Sequence, residues 1–286
     1  MIPEEENMDD VALRLAELVR ETSSSLPEDV ERALKSALRR EEKDSSASVV
    51  LRTILDNVAL ARKSATPLCQ DTGTLTFFIG DDLRDTVRPG HVRAAVALAT
   101  EKGWLRKNTI DSVTGRSYDD NCADGAPVIH YVDDMPGKVT LVMKGGGSEN
   151  MSRQYSLPDS ELGAGRDLEG VRKCVLDAAC KAQGYGCAPG VLGVCIGGDR
   201  AAGYEIAKMQ LLRPLGDRSG DPKLRALERA ILADANSLGI GPMGLGGRTT
   251  LLGVKIAARP RVPASFFVTV AYMCWALRRR TMEFRK

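Results

Sequence analysis

The chain has 286 residues, 43% hydrophobic and 27% charged, enough for one large domain or two lobes with a real core. Its 40 basic and 38 acidic residues leave a formal net charge of +2, which gives no electrostatic footprint for nucleic acid. The apolar runs, such as FFVTVAYMCWAL at 266–277, are too short or too interrupted to span a bilayer.

The start, MIPEEENMDD, is acidic and lacks the basic and apolar regions of a secretory signal, so a cytoplasmic protein with no membrane partner is expected. Residues 8–64 read as helical. Val11, Leu15, Leu18 and Val19 recur at helical spacing, a second helix opens at Pro27 on acidic residues, and a third runs from Ser46 to Arg62. Strands are expected at Thr74–Ile79, Val128–Val132 and Lys138–Met143, with a helix over Gly90–Lys102 between the first two. Helices follow at Leu168–Ala182, Ala201–Leu212 and Pro222–Ser237. Val191–Ile196 reads as a strand or a buried helix, and strands are expected around Thr250–Ala257 and Phe266–Ala271. The fold class is mixed α/β (α+β): a helical N-terminal segment, 1–65, then sheet-and-helix lobes over 66–286, continuous with it as one domain.

Seven cysteines, an odd number, argue against a disulfide framework, and no C-x-x-C pair points to a zinc ribbon or a thioredoxin-like site. With only His91 and His130, any metal would rest on sulfur or carboxylate. Cys69, Cys187 and Cys274 sit at element ends beside Gly, Pro or charge. Cys195 reads as core, Cys174 and Cys180 fall six apart in one helix and off a common face, and Cys122 lies in a polar loop. Three distant thiolates suit a cluster with one open iron, or a structural zinc. The glycines after Lys144, Gly145-Gly146-Gly147, either form a tight turn or turn backbone N–H groups toward a carboxylate-sized anion. The cluster Gly241–Gly247 is open to the same two readings. Arg278-Arg279-Arg280 is either a solvated tail or a set from which one arginine pairs with a carboxylate or shields an anionic cluster, and Arg106 is a further single candidate.

The ordered set of motifs resembles the α subunit of class I, iron–sulfur fumarate hydratases and the related L(+)-tartrate dehydratases. P-x-C-Q-D-T-G is Pro67–Gly73, L-R-x-N is Leu105–Asn108, and K-G-G-G-S-E-N is Lys144–Asn150. C-x-P-x-x-x-G-V-x-I-G-G is Cys187–Gly198, G-P-M-G-L-G-G-x-T-T is Gly241–Thr250, and C-W-A-x-R-R is Cys274–Arg279. The resemblance covers Asn57–Arg280. It implies a 4Fe-4S cluster held by Cys69, Cys187 and Cys274. It also implies reversible hydration of a small dicarboxylate, fumarate and malate first, with an L-tartrate dehydratase α subunit as the alternative. Gln70 and Asp71 would then face the substrate, Asp71 as an acid/base group or as an anchor. Arg106 would hold a carboxylate, and Lys144 with Gly145, Gly146 and Gly147 would complete substrate binding. The implied partners are a β subunit carrying a swivelling domain and a second copy of this chain. Three segments depart from the family pattern: Gly115–Pro127 is longer and different, Val262 stands where the family has His, and Cys187-Ala188-Pro189 replaces C-P-P. These departures keep open a non-catalytic assembly subunit that retains the fold.

Overall fold

The structure is a computed structural model that describes residues 9–284. The chain divides into two compact units. Of the described residues, one unit comprises 9–27, 56–146 and 278–284; the other comprises Glu28–Leu55 and Gly147–Leu277.

In the first unit, helix α1 (Asp10–Ser24) is capped by Asp9, whose carboxylate accepts from the Val11 N–H at 2.8 Å. The unit's sheet contains β1 (Thr74–Gly80), β2 (Val128–Val132), β3 (Lys138–Lys144) and β8 (Arg278–Glu283), in the order β2-β1-β3-β8. Strand β1 runs parallel to β2 and antiparallel to β3, and β3 is antiparallel to β8. Alternate residues Leu75, Phe77 and Ile79 of β1 and Val139, Leu141 and Met143 of β3 share one core. Leu15, Leu18 and Val19 of α1 join it, with Val92, Val96 and Ala99 of α4 (Pro89–Glu101).

In the second unit the sheet order is β4-β7-β5-β6. Its strands are β4 (Arg153–Ser156), β5 (Gly190–Ile196), β6 (Leu251–Ala258) and β7 (Phe267–Met273). Its helices are α2 (Glu28–Arg40), the short α5 (Gly146–Asn150) apart from its first residue, α6 (Leu168–Ala182), α7 (Arg200–Gln210) and α8 (Pro222–Ser237). Helix α3 (Ser46–Ser64) contributes residues to both units. Val171, Val175 and Ala178 of α6 and Leu227, Ile231 and Ala235 of α8 enclose a core with Val194, Val268 and Val270. The buried carboxylate of Glu228 accepts from the Ile256 N–H at 2.8 Å and from Arg213 at 3.1 Å.

The mixed α/β class is confirmed. The segment 191–196, left between strand and helix, is a strand buried along its whole length; an element covered on both faces shows no apolar–polar alternation to read. Strands β4 and β8 are the additions. Both are short and polar, and each is held as an outer strand by its backbone ladder to one neighbour, β7 and β3 respectively. Among the described residues no helix is long and apolar enough to cross a membrane.

Candidate functional site

The turn Cys69–Gly73 leads into β1 at one end of the first unit's sheet. The register pairs Thr74 with Lys144 and Arg278 with Met143, so the same end holds the start of β1, the end of β3 and the start of β8. The approach to the turn is anchored on both sides of Leu68: its N–H donates to the Ser23 carbonyl at 2.8 Å, and its carbonyl accepts from Asn57 Nδ2 at 3.0 Å. Two glycines make the turn possible. Gly73 has φ +76°, and a Cβ there would collide with the Lys144 carbonyl. Gly145 leaves room for Asp71, whose Oδ2 lies 2.8 Å from where a Cβ would stand. Arg278 is 1% exposed, and its Nη2 donates to the Asp71 carbonyl at 2.9 Å.

A second segment, Leu105–Thr109, is fastened to this turn by the buried side chain of Thr72 and is braced from its other side by that of Asn121. Thr72 Oγ1 accepts from the Arg106 N–H at 3.0 Å and donates to the Arg106 carbonyl at 3.1 Å. Asn121, at φ +59°, accepts on Oδ1 from the N–H groups of Asn108 at 2.8 Å and Thr109 at 3.0 Å. Its Nδ2 donates to the Arg106 carbonyl at 2.9 Å and to Thr100 Oγ1 at 3.0 Å. Every polar arm of this amide is used, which fixes the backbone of Arg106. Between turn and segment lies a cavity of about 380 Å³ lined by Gln70, Asp71, Arg106, Lys107 and Asn108. It holds two cationic side chains, one carboxylate and two amides, a lining suited to a small polar anion. A neighbouring cavity of about 530 Å³ also reaches Asp71, Asn108 and Asn121 and extends to Gly146 and Pro127.

Of the candidate residues, the first unit therefore brings Gln70, Asp71 and Arg106 to one cavity and Lys144 and Gly145 to the same sheet end. Lys144 is 2% exposed, whereas Gly146 and Gly147 open helix α5 in exposed positions. Thr72 and Asn108 stand in the motifs P-x-C-Q-D-T-G and L-R-x-N without having been singled out as site residues, Lys107 is the variable position of the second motif, and Asn121 lies in no motif. Asn121 was hidden in the departing loop Gly115–Pro127, where its only sequence signal is an Asn in a polar, Gly-containing stretch that can adopt positive φ.

In the second unit, β5 and β7 are antiparallel with Val191 opposite Met273, so Cys187 just before β5 and Cys274 just after β7 lie at the same end of the sheet. The Trp275 N–H donates to the Cys187 carbonyl at 3.2 Å, and the Cys274 N–H donates to Ser148 Oγ at 3.1 Å. Cys187 takes a left-handed conformation, φ +49°. Burial of Tyr272 beside them pushes its phenol well up. Met243, in the Gly241–Gly247 cluster, donates its N–H to the Ala188 carbonyl at 2.8 Å, so that cluster supports the Cys187 loop. Val262 is 65% exposed in a loop tied by Arg261, which donates to the carbonyls of Val262, Pro263 and Ser265.

The seven thiols are all outside disulfides. Cys69, Cys187 and Cys274 are half-buried; Cys174 and Cys195 are buried and Cys180 exposed. Burial pushes the thiols of Cys195 up to about 11 and Cys174 up to about 12. Cys122 contacts the Arg93 carbonyl through Sγ at 3.4 Å and is likewise pushed up by burial, to about 11. Among the described residues no group of three His, Cys, Asp or Glu side chains stands ready to enclose a metal ion.

Comparison with known proteins decides the family. The model of the family described as fumarate hydratase (Fumerase) matches residues 13–283. The chain belongs to the fumarate hydratase family. Within that family it is 47% identical over 280 residues to a protein of Geobacillus stearothermophilus named "Putative fumarate hydratase class I", covering 92% of this chain and 52% of that one. The chain thus spans about half the length of that relative. It is 35% identical over 274 residues to a protein of Methanocaldococcus jannaschii named "Putative L(+)-tartrate dehydratase subunit alpha", covering 93% of this chain and 94% of the other. It is also 31% identical over 288 residues to the L(+)-tartrate dehydratase subunit alpha of Escherichia coli K12, covering 97% and 93%.

Proposed function

We propose that this chain is the cluster-holding part of an iron–sulfur hydro-lyase that adds water to, and removes it from, a small dicarboxylate, with fumarate and malate as the pair. The observation that carries this reading is the cavity at the Cys69–Gly73 turn, where Asp71 meets Arg106, Lys107 and two amides. Membership of the fumarate hydratase family supports the reaction class, and the 47% identity to a relative named for class I fumarate hydratase favours fumarate over tartrate.

The donor set fits a 4Fe-4S cluster. Cys69, Cys187 and Cys274 are three half-buried thiols outside disulfides, in the segments that lead into β1, into β5 and out of β7, and the resemblance implies that these positions are the cluster ligands. When bound, such a cluster supplies an open iron that acts as a Lewis acid on a hydroxyl or carboxylate. The chain's own residues do the rest. Arg106 and Lys107 bind a carboxylate, with Arg106 able to grip it through two N–H groups. Asp71 holds or moves a proton at the carbon beside the other carboxylate, and Gln70 orients the water or hydroxyl. Lys144 and Gly145–Gly147 complete the binding of the anion.

The active assembly in this reading includes a β partner that carries a further domain, together with a second copy of this chain, in the cytoplasm. The names of the tartrate dehydratase α subunits support a partner subunit. The test is anaerobic reconstitution with iron and sulfide, followed by assay on fumarate and on L-tartrate, with and without a β subunit. Fumarate hydration that rises on adding the β subunit is expected. Bound zinc with no iron chromophore and no turnover would overturn the reading in favour of a non-catalytic subunit.

A further inference from the structure

Arg278 is the largest of the fully buried side chains, 1% exposed, yet only one of its three nitrogens is satisfied. Nη2 reaches the Asp71 carbonyl at 2.9 Å, while Nε and Nη1 are buried without a hydrogen-bond partner among the described residues. No carboxylate of the described residues forms an ion pair with it. A guanidinium stays charged at any pH the protein meets, so burial cannot be relieved by losing the proton. An uncompensated buried charge is among the most costly things a fold can retain, and a fold that needed only bulk at this position would do as well or better with an apolar side chain. The surroundings show where the charge acts. Arg278 opens β8 opposite Met143, at the sheet end where the turn Cys69–Gly73, Lys144 and Gly145 come together, and its one bond goes to the main chain of that turn.

The geometry points to Arg278 as a positioning residue. It fixes the turn through Asp71 and supplies the standing positive charge that favours a dicarboxylate anion in the cavity lined by Gln70, Asp71, Arg106, Lys107 and Asn108. This deepens the hydro-lyase reading and rests on it for the class of ligand. Its neighbours in the arginine run behave differently: Arg280 pairs with Glu21 at 3.2 Å and is about one-third exposed. Because Arg278 itself lies below the cavity surface, its effect on the ligand is coulombic through a low-dielectric wall, and it persists at moderate salt.

The test uses the full chain, anaerobically reconstituted, with succinate, a dicarboxylate that has no double bond to hydrate, as the calorimetric probe. Arg278→Met should weaken succinate binding about tenfold or more while melting at or above the wild-type temperature without ligand. Arg278→Lys, which keeps the charge, should recover most of the affinity. If Arg278→Met does not fold, Arg278→Gln is measured in its place with the same expectation. The assignment is overturned if the neutral variant binds succinate within twofold of wild type, if Arg278→Lys binds no better than it, if wild type shows no binding, or if neither neutral variant folds. Succinate binding with this pattern but no hydration of fumarate would sink the hydro-lyase reading alone and leave the role of Arg278 standing.

Discussion

Gly145 lies directly against the carboxylate of Asp71: a Cβ on Gly145 would stand 2.8 Å from Oδ2, inside any tolerable contact. The obstacle is the tip of a side chain, which can swing away, and Gly145 has no positive φ to strain. Gly145→Ala should therefore cost about 1 kcal/mol or less in stability but displace the Asp71 carboxylate. Turnover should fall on the order of 10–100-fold. Equal losses in stability and turnover, tracked by urea unfolding and steady-state assay, would argue against this separation.

Asn121 carries the opposite signature. Removing its amide leaves the N–H groups of Asn108 and Thr109 without their acceptor and the carbonyl of Arg106 with Thr72 Oγ1 alone, and Ala is ill suited to φ +59°. Asn121→Ala should destabilise the chain by about 2–4 kcal/mol, and the surviving folded protein should show a raised KM because Arg106 is then held by Thr72 alone. An unchanged unfolding midpoint would remove Asn121 from the account.

For Arg106 the expectation is a binding defect. Arg106→Met should raise KM for the dicarboxylate about tenfold or more with a smaller change in kcat. Arg106→Lys should rescue only part, since a lysine offers a single charge where the guanidinium offers a planar fork. A pure kcat effect would move Arg106 from binding to chemistry.

The buried thiols give a pH prediction. Cys122, Cys174 and Cys195 have folded values of about 11, about 12 and about 11 against an ordinary 9.0, so the folded state keeps these protons longer than the unfolded state. Their contribution to stability is full below pH 9 and is lost as pH rises from there through the folded values. Native alkylation at pH 8 should accordingly label exposed Cys180 and leave Cys122, Cys174 and Cys195 unmodified. Rapid labelling of Cys195 in folded protein would contradict its placement in β5.

Much of this was legible in the residues. Leu168–Ala182 and Pro222–Ser237 match α6 and α8 end to end, because each combines a 3.6-residue apolar period with an Asp cap. The turn at Cys69 was visible as a polar cluster meeting a strand. The cavity wall was less so. Thr72 and Asn121 act through backbone groups 34 and 13 residues away, and no local spacing encodes such long-range satisfaction. Arg278–Arg280 looked like a charge run. Its role as a strand end with one buried member depends on the ladder to β3, which pattern alone does not disclose.

The central claim is that Cys69, Cys187 and Cys274 hold an iron–sulfur cluster that this chain uses to hydrate a dicarboxylate. It is tested most directly by counting iron and sulfide in anaerobically reconstituted Cys274→Ser and Cys195→Ser, alongside fumarate turnover with the β subunit present. The account predicts about four irons per chain and wild-type turnover in Cys195→Ser, with the cluster and turnover lost in Cys274→Ser. Identical behaviour of the two variants would contradict it.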